Sequence, residues 1–279
     1  MSEKTPDSVT HPVAASGIDL APDLREALSR VRIVLVAPSH PGNIGAAARA
    51  MRVMGLSRLV LVQPQRFPDP EASARAAGAD ALLENATVCE SLDEALKGCV
   101  LAFGCTARQR GVPLPELAPR AGAERLLAAS ADGDVALLFG RESSGLENSE
   151  LQRCQSAVHI ATQPEFGSLN LGAAVQLLCY ELRLAALAAL DQPETPASSD
   201  AVDRRSDPPA TQDELEGFFV HLADTLDDID FHKGRGSETV LARLRRLYLR
   251  ADLDQREVRI LRGILAETRR AAGRGQQSE

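Results

Sequence analysis

The chain has 279 residues, 44% hydrophobic and 25% charged, with a formal net charge of −8, which excludes a disordered or fibrous chain. Aromatics make up 3% and Trp is absent, too little for a surface of stacked bases or an aromatic cage. The acidic total argues against a nucleic-acid partner until the distribution of charge is considered.

Residues 1–28 carry Pro6, Pro12, Gly17 and Pro22 without sustained periodicity and read as a loose leader with no apolar signal segment. Val31–Val36 is β-branched and apolar, like a buried parallel strand. Asn43 is then expected to open a helix that ends near Gly55, before a second strand over 59–62. Strand, helix, strand implies a parallel βαβ unit. The alternation continues with a helical stretch at 71–83, a short helix at 91–97, and strands near 99–103, 135–139 and 157–161. An α/β domain over 29–190 follows, closed by an apolar helix over 170–190. Gln176, Glu181 and Arg183 interrupt that helix, so it is expected inside the domain or at a subunit interface rather than in a membrane. Pro, Ser and acidic residues over 191–210 read as a flexible linker, and 211–279 as a helical C-terminal domain.

The cysteines Cys89, Cys99, Cys105, Cys154 and Cys179 are odd in number and lack a Cys-x-x-Cys pair, which points away from a disulfide framework or metal site and toward a reducing cytoplasm. They read as small core residues, with Cys105 alone to be checked for reactivity. His40 reads as a solvated loop residue and His159 as a strand residue.

Three segments can carry chemistry. Pro38 to Met51 follows the first strand at the sheet edge where α/β folds bind ligands. There Gly42 and Gly45 would let the backbone approach a ligand, Asn43 would cap the helix, and Arg49 and Arg52 would share a face. A capped amphipathic helix with solvated arginines is the plain alternative. A Rossmann loop lacks its glycine spacing. The second segment, Phe139-Gly140-Arg141-Glu142-Ser143-Ser144-Gly145-Leu146, is a strand entering a turn that holds Glu142 between two glycines, or simply a turn with a solvated acid. The third, Pro164-Glu165-Phe166-Gly167-Ser168-Leu169-Asn170-Leu171, places Ser168 or Asn170 as the cap of the apolar helix.

Taken together and in this order, the three segments resemble the signature motifs of the SPOUT class of RNA methyltransferases. They look like its TrmH-type 2′-O-ribose methyltransferases and, through Pro164-Glu165-Phe166, Gln176, Cys179-Tyr180-Glu181 and the helical extension, are most similar to the TrmJ subfamily. The resemblance implies a parallel sheet whose C-terminal part forms a deep trefoil knot, a homodimer, and a tRNA substrate methylated at the ribose of cytidine or uridine 32. It also implies S-adenosylmethionine bound by Cys105, Thr106 and Ala107, by Gly140, and by Ile160, Gly167, Ser168 and Leu169. Arg49 matches the family's catalytic arginine, and Asn43, Glu142, Ser168 and Asn170 would orient it, the loops and the ribose. A guanidinium is protonated at neutral pH, so Arg49 is expected to hold a phosphate and steady the developing alkoxide rather than act as a base. Other readings remain open: methylation of another tRNA or rRNA site, a silent RNA-binding relative, or a nucleotide-dependent oxidoreductase.

The charge is segregated. Residues 191–230 hold twelve acids and two arginines, whereas 231–279 hold twelve Lys plus Arg against six acids. The C-terminal helices therefore offer a basic face, including Arg235, Arg243, Arg245, Arg246, Arg250 and Arg259, suited to phosphates.

Overall fold

A computed structural model describes residues 28–107, 114–163, 167–191, 207–233 and 236–275. The expected leader, apart from Leu28, lies outside the described residues, as do most of the expected linker, Arg108, Pro164-Glu165-Phe166 and Arg235.

Seven parallel strands form one sheet: β1 (Val31–Val36), β2 (Arg58–Val62), β3 (Thr87–Cys89), β4 (Cys99–Thr106), β5 (Glu116–Leu117), β6 (Asp134–Phe139) and β7 (Ser156–His159), in the order β3-β2-β1-β6-β4-β7-β5. The inner strands are apolar on both faces because helices cover both. Ile33 and Leu35 face one core, Val34 and Val36 the other, and Ile33, Val34 and Leu35 are fully buried.

The helices of this unit are α1 (Pro41–Met54), α2 (Pro70–Ala76), α3 (Asp80–Glu84), α4 (Leu92–Leu96), α5 (Pro119–Ala129), α6 (Asn148–Leu151) and α7 (Leu171–Asp191). The helix expected over 71–83 is two helices, because Ala77 and Gly78 take φ of 44° and 93° and break the backbone turn. α1 begins at Pro41, not Asn43. The proline ring presets the first helical φ, and His40 holds the cap position without a side-chain bond. The small residues after it serve packing rather than a ligand: a Cβ on Gly45 would come within 2.1 Å of the Ala72 carbonyl oxygen on α2.

Over Leu171–Ala189, α7 is long and apolar enough to cross a membrane by length and composition. Here it packs against α1 and α5, burying Val175, Leu178, Cys179, Leu182 and Ala186 on one side, so part of its apolarity serves the core of this unit.

Helices α8 (Gln212–Asp228), α9 (Glu238–Arg250) and α10 (Gln255–Gly275) form a second cluster around Phe218, Phe219, Leu222, Leu249 and Val258. It docks at the amino ends of the strands. Gly98 N–H donates to Asp213 Oδ1 at 2.9 Å. Buried Gln212 donates to Gln155 Oε1 at 3.0 Å, and the same oxygen accepts from Ala102 N–H in β4. Beside them Glu216 pairs with both Arg153 and Arg245, while Arg153 also meets Asp93 at 2.7 Å.

Candidate active site

The carboxyl ends of β4, β6 and β7 converge on one cleft, floored by the start of α7. Its wall is formed by Cys105, Thr106 and Ala107 after β4, by Phe139 and the turn Gly140–Leu146 after β6, and by Ile160, Thr162, Gly167, Ser168 and Leu169 before α7. The space between these walls is about 820 Å³ with the open solvent at its mouth included. All eight residues expected to hold a cofactor line this cleft.

The turn after β6 is drawn tight. Arg141 and Gly145 exchange backbone hydrogen bonds of 3.2 and 2.8 Å, and Gly145 takes a φ of 70°. A Cβ on Gly140 would lie 2.0 Å from the Gly145 carbonyl carbon, so only glycine permits this closure. Arg141 braces the turn from behind, bonded to Glu150 at 3.0 and 3.1 Å. Thr162 Oγ1 donates to the Gly167 carbonyl at 2.9 Å and ties the last loop to itself.

Beside the cleft, one hydrogen-bond chain joins the three motif segments. Glu142 accepts from Ser39 N–H (3.0 Å), Ser39 Oγ (2.7 Å), His40 N–H (3.2 Å) and Asn43 Nδ2 (2.9 Å). Asn43 Oδ1 accepts from Asn170 Nδ2 at 2.9 Å, and Asn170 Oδ1 accepts from Gly172 N–H at 2.9 Å. Asn170 thus caps α7, one of the two expected candidates, whereas Asn43, expected as a cap, is a connector whose amide is free because Pro41 already starts the helix. Burial, the largest single influence on the Glu142 carboxyl, opposes its charge. The hydrogen bonds from Asn43 and Ser39 outweigh it and bring the carboxyl down to about 2.

The other two expected residues stand apart from this chain. Ser168 is exposed on the cleft wall. Arg49 is exposed on α1 outside the wall and makes no hydrogen bond or ion pair among the described residues. Ser39 is the site residue that sequence reasoning missed; a serine in a loop after a strand gives no signal of its partner 103 positions away. His159 ends β7 as expected, and its Nδ1 lies 3.1 Å from the Thr106 carbonyl oxygen on the cleft rim. Burial pushes the Cys105 thiol up to about 12, which disfavours a reactive thiolate at neutral pH. No group of His, Cys, Asp and Glu fit for a metal ion occurs among the described residues.

Among the described residues, the cleft wall carries two charged side chains, Arg141 and Glu142, and each is engaged by protein partners. What remains for a ligand is apolar surface from Phe139, Leu146, Ile160, Leu171 and Ala174, together with loop backbone. Apolar surface and hydrogen-bonding backbone side by side fit a nucleoside-bearing cofactor.

Residues 30–180 match the SpoU rRNA methylase family, and residues 213–277 match the C-terminal domain of the tRNA methyltransferase TrmJ. The chain is 52% identical over 246 residues to the tRNA (cytidine/uridine/adenosine-2′-O-)-methyltransferase TrmJ of Pseudomonas aeruginosa, covering 88% of this chain and 96% of the relative. It is 47% identical over 239 residues to the tRNA (cytidine/uridine-2′-O-)-methyltransferase TrmJ of Salmonella typhimurium, covering 86% and 96%. Among solved structures, TrmJ from Z. mobilis ZM4 superposes with a TM-score of 0.72 at 34% identity, covering 85% of this chain and 97% of the other.

Proposed function

The chain belongs to the SpoU methylase family, in its TrmJ branch, and on that premise we propose that it transfers a methyl group from S-adenosylmethionine to the ribose 2′-hydroxyl of cytidine or uridine 32 of tRNA. The observation that carries this reading is the Glu142–Asn43–Asn170 chain, which holds the three motif loops in one arrangement at the lip of the cleft.

Bound S-adenosylmethionine supplies an electrophilic methyl group on a sulfonium sulfur. Cys105, Thr106, Ala107, Gly140, Ile160, Gly167, Ser168 and Leu169 would hold it, largely through backbone groups. A ribose hydroxyl is a poor nucleophile at neutral pH, so its proton must leave as the new O–C bond forms. Arg49 acts as a fork: it binds the neighbouring phosphate and steadies the developing negative charge on the 2′-oxygen, while a phosphate oxygen accepts the proton. Asn43, Glu142 and Asn170 keep α1, and Arg49 on it, in fixed relation to the cleft, and Ser168 orients the ribose from the rim.

The working unit in this reading is a homodimer formed through α1 and α7. Two exposed apolar residues support it: Val53 on α1 and Tyr180 on α7 lie within one turn of the Arg183–Met54 hydrogen bond that ties these helices together. A deep knot is supported by the return of α7 from the β7 side of the sheet to pack under α1. We divide the chain into a methyltransferase domain over 29–190, a linker over 191–210 and a helical domain over 211–279, and from a tRNA substrate we infer a cytoplasmic location.

The test is methyl transfer from labelled S-adenosylmethionine to unmodified tRNA, followed by mapping of 2′-O-methyl groups. Methylation at nucleotide 32, abolished by a 2′-deoxy residue there, is expected. An adenosine-32 tRNA belongs in the same assay, since the Pseudomonas relative's name includes adenosine. Methylation at another position would overturn the site assignment, and absence of transfer to any tRNA would overturn the activity.

A further inference from the structure

Four arginines lie on α9, and the fold uses them in two ways. Arg245 turns inward: it pairs with Glu216, and its guanidinium carbon stands 4.2 Å from the centre of the Phe219 ring. It is therefore not part of the basic face expected from the sequence. Arg243, Arg246 and Arg250 are exposed and make no hydrogen bond or ion pair among the described residues. Their spacing of three and four places them on one side of the helix, a row about 10 Å long, with half-exposed Leu247 beside it. Glu238, in the first turn, is the single acid of α9.

Three of the arginines of α10 are the contrast, while Arg259 and Arg262 of that helix are exposed and pair with no acid among the described residues. Arg256 reaches Asp207 at 4.0 Å, Arg269 reaches Asp228 at 2.5 Å, and Arg270 pairs with Glu267. The excess positive charge of the C-terminal helices is thus partly neutralised on α10 and left open on α9. Three unneutralised guanidiniums side by side repel one another and give the fold nothing in return, so their complement is an external polyanion.

The position of the row adds a second constraint. Tyr248, on the opposite side of α9, and Leu249, on its flank, line the junction with Val100, Leu101 and Arg125 of the methyltransferase unit. The docking contacts through Asp213 and Gln212 lie at the amino end of β4, whereas the cleft lies beyond its carboxyl end. The eight residues of β4 separate the two by roughly 25 Å. An RNA that reached both the cleft and α9 would have to be long, folded, or both.

We propose that Arg243, Arg246 and Arg250 form a phosphate-binding row that grips the tRNA backbone at a part of the molecule remote from the methylated ribose, an inference that rests on the tRNA substrate assigned above. The row sets affinity for whole tRNA and leaves the chemical step alone.

The experiment compares the full-length protein with two triple variants: R243Q/R246Q/R250Q, and the α10 control R256Q/R269Q/R270Q. Binding to an unmodified tRNA transcript, and to a fragment holding only the stem and loop around the methylated nucleotide, is measured across a salt series. The α9 variant is expected to bind whole tRNA at least tenfold more weakly, with a salt slope shallower by about 2–3, near 0.7–0.9 per lost phosphate contact. It should bind the fragment as the parent does and keep kcat at saturating tRNA. Unchanged helical circular dichroism and unchanged hydrogen-exchange protection of α8 and α9 would show that the C-terminal helices are folded. Whole-tRNA binding equal to the parent's, an equal loss on the fragment, or an equal or larger loss in the α10 control would each overturn the proposal. If instead the parent transfers no methyl group to any tRNA, it is the functional assignment that fails.

Discussion

Asn170, which caps α7, donates to the side-chain oxygen of Asn43 on α1 at 2.9 Å, across 127 positions of sequence. Asn43 passes the connection on to Glu142 through its own amide nitrogen, so one amide group presents an acceptor to one neighbour and a donor to the other. Asn43→Ala removes both contacts. It should lower single-turnover methylation about 100-fold and stability by about 1–2 kcal/mol. S-adenosylhomocysteine affinity should stay within a few-fold, because Asn43 is not part of the cleft wall. Asn43→Asp should be worse, since it can still accept from Asn170 but sets a second carboxylate against Glu142.

Arg49 separates activity from stability. Being exposed and without a protein partner, it can be replaced by Ala with a change in unfolding free energy within about 0.5 kcal/mol. Methylation should nevertheless fall at least 100-fold at every pH assayed, and Arg49→Lys should recover little of it, because an ammonium lacks the fork. Near-normal turnover by Arg49→Ala would remove Arg49 from the reaction.

The Glu142 carboxyl, held at about 2 against an ordinary value of 4.5, links stability to pH. The folded state prefers the carboxylate. Its contribution is therefore complete above about pH 4.5 and is lost as pH falls toward 2. Denaturant titrations of the parent and of Glu142→Gln should differ by a constant amount from pH 5 to 7 and converge between pH 4.5 and 2. Parallel curves throughout that acid range would contradict the hydrogen-bond account of the shift.

Glu216 is forked between Arg153 and Arg245. Neutralising it leaves two partly buried guanidiniums short of a partner, which should destabilise the docking of the C-terminal helices by about 2 kcal/mol, less than the 3–5 typical of a fully buried pair. In Glu216→Gln, hydrogen exchange should quicken first in α8 and at Gly98, while the strands of the sheet keep their protection.

The alternation of strands and helices is legible because it is written locally. Ile33–Val36 and Val135–Phe139 are apolar runs of strand length, each preceded by a charged residue and followed within two residues by Pro or Gly. Strands β3 and β5, of three and two residues, are too short to show a period, and they exist because a neighbouring parallel strand offers them a ladder. The break of the 71–83 helix had a signal in Gly78, which the surrounding helical periodicity concealed. The motif segments were readable as loops at strand ends, yet the tasks of Asn43 and Ser39 were not, because each depends on a carboxylate about a hundred positions away. Arg245 and Arg246 are adjacent and identical in sequence; packing against Phe219 decides which of them belongs to the interior.

Because a proline ring rather than a side chain sets the start of α1, helix formation and chemistry are assigned to different residues two positions apart. Asn43 can therefore be varied without unravelling the helix that carries it. In the other direction, relaxing Pro41 would let the chain recruit the nearest amide to finish the helix, and a protein that remained folded would lose the joint between its three loops. The imino acid thereby keeps a neighbouring amide available to join the three loops.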